Sequence, residues 1–339
     1  MMNKSTNLLL MLMLILSVPI SISSNSWFMV WMGMEINMMA FLPMIMDHKG
    51  LMAKESALTY FMVQTIASML MLMSIIMMMI NFNMLNYIPS NTGETLMLSA
   101  LMMKSGISPF HFWMPKLMEG MNWIKCMILM TWQKITPLMM MSNIIKMNYW
   151  ALTAMILSVV VGAIGGLNQT SLRKLMAYSS ISNNGWMMAA ILISENMWLM
   201  YFSFYSIMTI IMSMTMHFYK NYHINQLISM NETVLKKFFL MMNMLSISGL
   251  PPMMGFLPKW LVIQSNLMLN EITLMSIMIM VTLITIYYYL RIMMSMLMLS
   301  NYENKWQPMY INKYNNTMMM LSTMSIMGLT MTTLVITMY

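Results

Sequence analysis

Lys104-Ser105-Gly106-Ile107-Ser108-Pro109-Phe110-His111-Phe112-Trp113-Met114-Pro115-Lys116 begins inside an apolar run and then interrupts it. Glycine readily leaves the helical region, and proline removes a backbone donor, so Gly106, Pro109 and Pro115 predict a broken helix. The pattern returns 143 residues later as Ser248-Gly249-Leu250-Pro251-Pro252 and closes on Pro258-Lys259. Ser-Gly, the proline three positions after the glycine, and the closing Pro-Lys all keep their offsets. Paired Gly/Pro-interrupted apolar segments in corresponding halves point to an ion or substrate pathway in a repeat-built membrane protein.

Composition sets the class. The 339 residues are 60% hydrophobic and 8% charged, against roughly 25% charged in soluble domains. Too few charges remain to cover a soluble surface, so an all-α polytopic membrane protein is expected. The net charge of +8 is scattered rather than clustered, which excludes a nucleic-acid footprint. Cys126 is alone, so the chain has no disulfide framework of its own, and His48, His111, His217 and His223 lack metal-ligand spacing. The 64 methionines follow the hydrophobic runs. They stand as unbranched apolar filler rather than as a metal-binding motif.

A bilayer-spanning helix needs about 20 mainly apolar residues. About eleven such runs are present, near 6–24, 26–46, 57–80, 95–117, 121–145, 149–167, 171–194, 196–218, 237–268, 272–299 and 317–338. The fourth and ninth are the two discontinuous helices. The chain is read as one transmembrane domain over 1–339: repeat one at about 1–145, repeat two at about 149–300, inverted to it, and an extra helix at 317–338. The first run is expected to be a retained helix rather than a cleaved signal. Asn168-Gln169-Thr170 and Asn231-Glu232-Thr233 are chance glycosylation patterns. Letting the chain alternate across the membrane puts thirteen Lys/Arg on the side of the N-terminus and only Lys146 opposite. That bias predicts an N-terminus on the positive side.

Four charges have no loop to occupy: Glu35, Lys104, Lys134 and Lys259. A charged side chain at the bilayer centre costs about 2.5–3.5 kcal/mol on insertion scales, so such residues mark function by default. Low dielectric disfavours a lysine's charged form, and a nearby carboxylate restores it. Glu35 paired with Lys104 would therefore govern whether Lys134 and then Lys259 hold a proton. Unwound backbone at the breaks suits a hydrated cavity, which Ser105, Ser108, His111 and Ser248 could line. His111 could relay protons itself, although a structural histidine is the simpler reading. Gly162-Ala163-Ile164-Gly165-Gly166 reads as a close helix contact. Ligand sets for haem or iron–sulfur clusters are not found.

Four stretches carry a resemblance: Gly165-Gly166-Leu167-Asn168-Gln169-Thr170-Ser171-Leu172-Arg173-Lys174-Leu175-Met176-Ala177-Tyr178-Ser179-Ser180-Ile181, Gly33-Met34-Glu35-Ile36-Asn37, Ser108-Pro109-Phe110-His111-Phe112-Trp113, and Gly249 to Trp260. Together they resemble the antiporter-like membrane subunits of respiratory complex I, in the chain 2 form of animal mitochondria, themselves related to Mrp-type cation/proton antiporters. The methionine excess fits an AT-rich mitochondrial genome reading AUA as methionine. The resemblance implies a proton-translocating subunit of the mitochondrial inner membrane with its N-terminus in the matrix. It implies eleven helices, three fewer than bacterial relatives. The family's glutamate and three lysines fall on Glu35, Lys104, Lys134 and Lys259. Partners would be other membrane-arm and accessory subunits and lipids. No cofactor is expected in this chain, with NADH, FMN, iron–sulfur clusters and ubiquinone handled by other subunits. A free-standing antiporter and a non-conducting structural subunit are the competing readings. Within the first, Lys104 belongs to the coupling pair at the start of a relay and Lys259 to its exit.

Overall fold

The computed structural model of the protein describes residues 4–46, 50–83, 91–145, 148–230, 234–251 and 253–298, with the single positions 320, 322, 323, 325, 326 and 328. Met1, Met2, Asn3, His48, Lys49, Lys146, Asn231-Glu232-Thr233, Pro252, Lys305, Lys313 and most of the 317–338 run lie outside the described residues.

Fourteen helices lie among the described residues: α1 Lys4–Ile22, α2 Trp27–Ile45, α3 Leu51–Asn83, α4 Asn91–Ser105, α5 Trp113–Gly120, α6 Trp123–Met130, α7 Trp132–Ile144, α8 Tyr149–Gly166, α9 Leu172–Ile193, α10 Glu195–Tyr219, α11 Ile224–Ile228, α12 Val234–Ser248, α13 Phe256–Met268 and α14 Ile272–Met298. They overlie ten of the runs read from the sequence, with three runs divided in two and the short α11 added. Methionine and leucine favour the helix intrinsically. Six helices, α1, α2, α3, α8, α10 and α14, are long and apolar enough to cross a membrane.

α3 shows how the sequence sorts its faces. Leu58, Met62, Ile66, Met69, Met73, Ile76 and Met79 recur at helical spacing and are all exposed. Ala53, Ala57, Tyr60, Gln64, Ala67, Ser68, Met71 and Ser74 are buried on the other side. Bulky apolar groups outside, with small and polar groups inside, is the sorting lipid imposes, because small residues let neighbouring helices approach. Buried hydroxyls settle within their own helices, as Ser17 donates to the Leu14 carbonyl at 2.9 Å and Ser74 to Met71 at 2.6 Å. Their hydrogen-bonding needs are thereby met without water.

The helices group into two compact units, Met1–Ser158 and Val159–Tyr339. In the first, α3 packs on α2, α4 and α5, α4 packs on α7, and α1 on α2 and α7. In the second, α10 packs on α9, α12 and α13, while α14 packs on α12 and α13.

Each unit contains one of the two interrupted helices, and the breaks match residue for residue. α4 ends at Ser105 and α12 at Ser248, while the chain re-enters helix at Trp113 in α5 and Phe256 in α13. Both ends of the gap keep the 143-residue offset. Gly106 at φ 74° and Gly249 at φ 83° take the left-handed conformation. Behind them, Ile107 N–H donates to the Met102 carbonyl at 3.0 Å, and Leu250 N–H to Leu245 at 3.5 Å. This six-to-one bond is the Schellman closure, which satisfies a carbonyl the helix end would otherwise orphan.

The glycine stretch between the two breaks has a plain packing role. A Cβ on Gly162 would lie 2.6 Å from the Ser182 backbone nitrogen and 2.7 Å from the Tyr178 carbonyl oxygen. Backbone cannot yield cheaply there. Gly162→Ala is therefore expected to destabilise the α8–α9 contact by about 1–3 kcal/mol, the usual cost of overpacking. Thermal unfolding of the purified protein in detergent checks this; an unchanged midpoint would contradict the close approach.

Candidate functional site

The site in the first unit is assembled from four helices. Lys104 occupies the last turn of α4, where the negative end of the helix dipole favours an ammonium. Its Nζ donates to Met34 Sδ at 3.6 Å. Glu35, next to Met34 on α2, keeps a buried Oε1 without a hydrogen-bond partner. The carboxylate interacts electrostatically with Lys104 and with the Tyr60 hydroxyl. Glu35 and Lys104 are thus neighbours whose contact runs through space rather than through a direct ion pair.

Lys134 lies on α7 and is 2% exposed. The sequence reading treated 121–145 as one unbroken run, but the chain divides at Thr131, which separates α6 from α7 at φ −109° and ψ −75°. Pro137 favours a distortion in the turn that precedes it. It has no N–H to give the Gln133 carbonyl, and its ring crowds the preceding turn. Thr131 Oγ1 adds a bond back to the Met127 carbonyl at 2.7 Å, a pattern that bends helices. Lys134 therefore follows an irregular turn, as Lys104 precedes one.

Lys104 and Lys134 line the same cavity, of about 20 Å³, together with Asn37, Tyr60, Gln64 and Gln133. That volume holds one or two waters. The amides form its frame: Gln133 Nε2 donates to Asn37 Oδ1 at 2.7 Å, Tyr60 donates to Gln133 Oε1 at 3.5 Å, and Gln64 Nε2 donates to the Lys104 carbonyl at 3.4 Å. Charge alone does not single out these four residues. Asn37, Gln64 and Gln133 stand out as uncharged amides inside apolar runs, and that signal was available. Tyr60 scored as an apolar aromatic and gave none.

Lys259 belongs to the second unit, in the first turn of α13, and is buried. A cation is unfavourable at a helix N-terminus, and the side chain escapes by reaching back across the break. Its Nζ donates to the Ser248 carbonyl at 2.7 Å, one of the free carbonyls at the C-terminus of α12. Lys116, its counterpart in the first repeat, is exposed, so the same position carries a surface charge in one unit and an interior charge in the other. A small cavity beside Lys259's segment is lined by Asn183, Tyr201, Tyr205 and Ser246. There Tyr201 donates to Asn183 Oδ1 at 3.0 Å. His111 turns to its own segment: Nδ1 donates to the Pro109 carbonyl at 3.2 Å, and the ring lies tilted by 34° against Phe112, with centroids 4.1 Å apart.

Lys104 and Lys259 flank helices broken in a repeated pattern, with Lys134 and Glu35 also in the interior, and the sequence comparisons place the chain among antiporter-like membrane proteins. The family model for the transmembrane region of NADH:quinone oxidoreductases and Mrp antiporters matches residues 24–285. NADH-ubiquinone oxidoreductase chain 2 of Aedes aegypti is 47% identical, covering 98% of this chain and 99% of the relative. The Anopheles gambiae protein of the same name is 43% identical over 95% of this chain and 94% of its own length. A chain of respiratory complex I from Thermus thermophilus, 20% identical, superposes with a TM-score of 0.79 over 96% of this chain and 78% of that one. The chain belongs to the NADH:quinone oxidoreductase/Mrp antiporter membrane family and, within it, to the NADH-ubiquinone oxidoreductase chain 2 family. It is a multi-pass membrane protein.

Proposed function

We propose that this chain is a membrane-arm subunit of respiratory complex I that translocates protons, coupled to electron transfer from NADH to ubiquinone. The observation that carries the reading is the shared cavity of Lys104 and Lys134, with the Glu35 carboxylate acting on its edge. Two lysines lining a space large enough for one or two waters in an apolar interior can exchange a proton, and the carboxylate biases which of them holds it. Glu35 and Lys104 serve as the coupling pair, Lys134 as the relay and Lys259 as the exit group. Lys259's bond to a helix-end carbonyl gives its ammonium a defined resting place.

The remaining features follow from this assignment. The chain crosses the inner mitochondrial membrane eleven times with its N-terminus in the matrix, and its two repeats are inverted. Flavin, iron–sulfur clusters, NADH and ubiquinone belong to other subunits, and accessory subunits and lipid cover its outer faces. A free-standing cation/proton antiporter is the second reading, favoured by the family model it shares with Mrp proteins. Native electrophoresis of mildly solubilised membranes separates the two. The chain is expected to migrate with NADH dehydrogenase activity in one large assembly. Recovery of the chain alone, with cation/proton exchange in liposomes, would overturn the complex I reading.

A further inference from the structure

We propose that Tyr60 is a proton-transfer residue of the first unit, its hydroxyl linking Lys104 to Lys134 across their shared cavity; the proposal rests on the relay described above. Tyr60 lies on the buried face of α3, 2% exposed, and lines the cavity with both lysines. Its ring is fixed edge-on to Phe41, with centroids 5.4 Å apart, and to Trp113 at 6.2 Å. The hydroxyl is held differently. Its bond to Gln133 Oε1 is long, at 3.5 Å, whereas Gln133 itself is anchored to Asn37 at 2.7 Å. A firmly held ring, a loosely held hydroxyl and an adjoining space for one or two waters are what a switching proton donor needs. One turn further along α3, Gln64 donates to the Lys104 carbonyl. A single helix face therefore touches both lysine-bearing segments.

The step balances without any redox partner. An N–H bond of the Lys104 ammonium breaks, and its proton passes through a cavity water to the Tyr60 oxygen. The original phenolic proton leaves through water to a neutral Lys134 amine, where a new N–H bond forms. Tyr60 ends as it began, and one positive charge has moved from Lys104 to Lys134. The Gln133 amide, which passes protons poorly, parks the hydroxyl between turnovers.

The test is NADH-driven proton pumping by the assembled complex in liposomes, with NADH oxidation and complex content measured alongside. Tyr60→Phe keeps the ring and removes the proton, and transfer through this chain is expected to slow by roughly 10²–10⁴-fold with complex content unchanged. Tyr60→His, which keeps a proton-passing group, is expected to retain pumping that Tyr60→Leu loses; that pair decides the matter if Tyr60→Phe assembles poorly. Normal pumping by Tyr60→Phe beside a defective Lys134→Met, or equal pumping by the His and Leu variants, would overturn the Tyr60 assignment alone. Normal pumping by Lys134→Met would overturn the relay, and Tyr60's role with it.

Discussion

Lys134→Met in the assembled complex is expected to cut the proton flux carried by this chain by orders of magnitude while leaving the assembly intact. Methionine is unbranched, apolar and close to lysine in length, so it fills the same space on α7 without leaving a hole. It also removes an ammonium whose burial at a bilayer centre costs about 2.5–3.5 kcal/mol, so the variant chain inserts and packs at least as readily. What disappears is the lysine that shares the cavity with Lys104, the group proposed to accept its proton. A positioned acid–base group contributes roughly 10²–10⁴-fold to a proton-transfer step, and flux is expected to fall in that range. Lys116→Met is the matched control. Lys116 is exposed on α5, and its loss should leave pumping unchanged. Measuring pumped protons per NADH oxidised, with complex content from native gels, separates the readings. Wild-type stoichiometry in Lys134→Met would show a subunit that holds the membrane arm together without conducting.

The breaks were legible because they are local. Gly106 and Gly249 need a left-handed backbone, the prolines bar helix continuation, and the 143-residue offset places both gaps without any tertiary information. The interior lysines were legible for a related reason: a charge inside an apolar run has no favourable default. The Thr131 interruption was not, since Pro137 alone is compatible with either a kink or a clean break one turn earlier. The choice depends on how α6 and α7 pack. The cavity frame was harder still. Tyr60 and Gln64 share a face of α3, Gln133 lies 73 residues beyond Tyr60, and they acquire meaning only when α3 and α7 meet around Lys104. Electrostatics reads from sequence as a sum of single charges, whereas hydrogen-bonded amides count only in pairs. The direct Glu35–Lys104 pairing expected from charge alone also softened. Met34 Sδ occupies the ammonium, and the carboxylate acts on it from a distance.

The repeat makes one further difference measurable. Gly249→Ala should damage the protein more than Gly106→Ala, although both substitutions force a Cβ into the left-handed region at about 1–2 kcal/mol. At Gly106 the new methyl would meet Met114 Sδ at 3.2 Å and a Trp113 ring carbon at 3.4 Å. A thioether moves by a few tenths of an ångström at little cost. At Gly249 the methyl would lie 2.9 Å from Lys259 Nζ and 3.0 Å from its Cδ. The lysine has to swing away, and its bond to the Ser248 carbonyl goes with it. A hydrogen bond from a charged donor is worth about 1.5–3 kcal/mol, so the total for Gly249→Ala reaches roughly 2.5–5 kcal/mol against 1–2 for its counterpart. Thermal unfolding of the complex should report that gap. Pumping should report more if Lys259 is the proposed exit group, because the displaced lysine leaves the end of α12, whereas Gly106→Ala leaves Lys104 in place. Equal losses at the two glycines, in stability and in pumping alike, would mean that Lys259's position is incidental. The matched breaks would then be only a way of turning the chain.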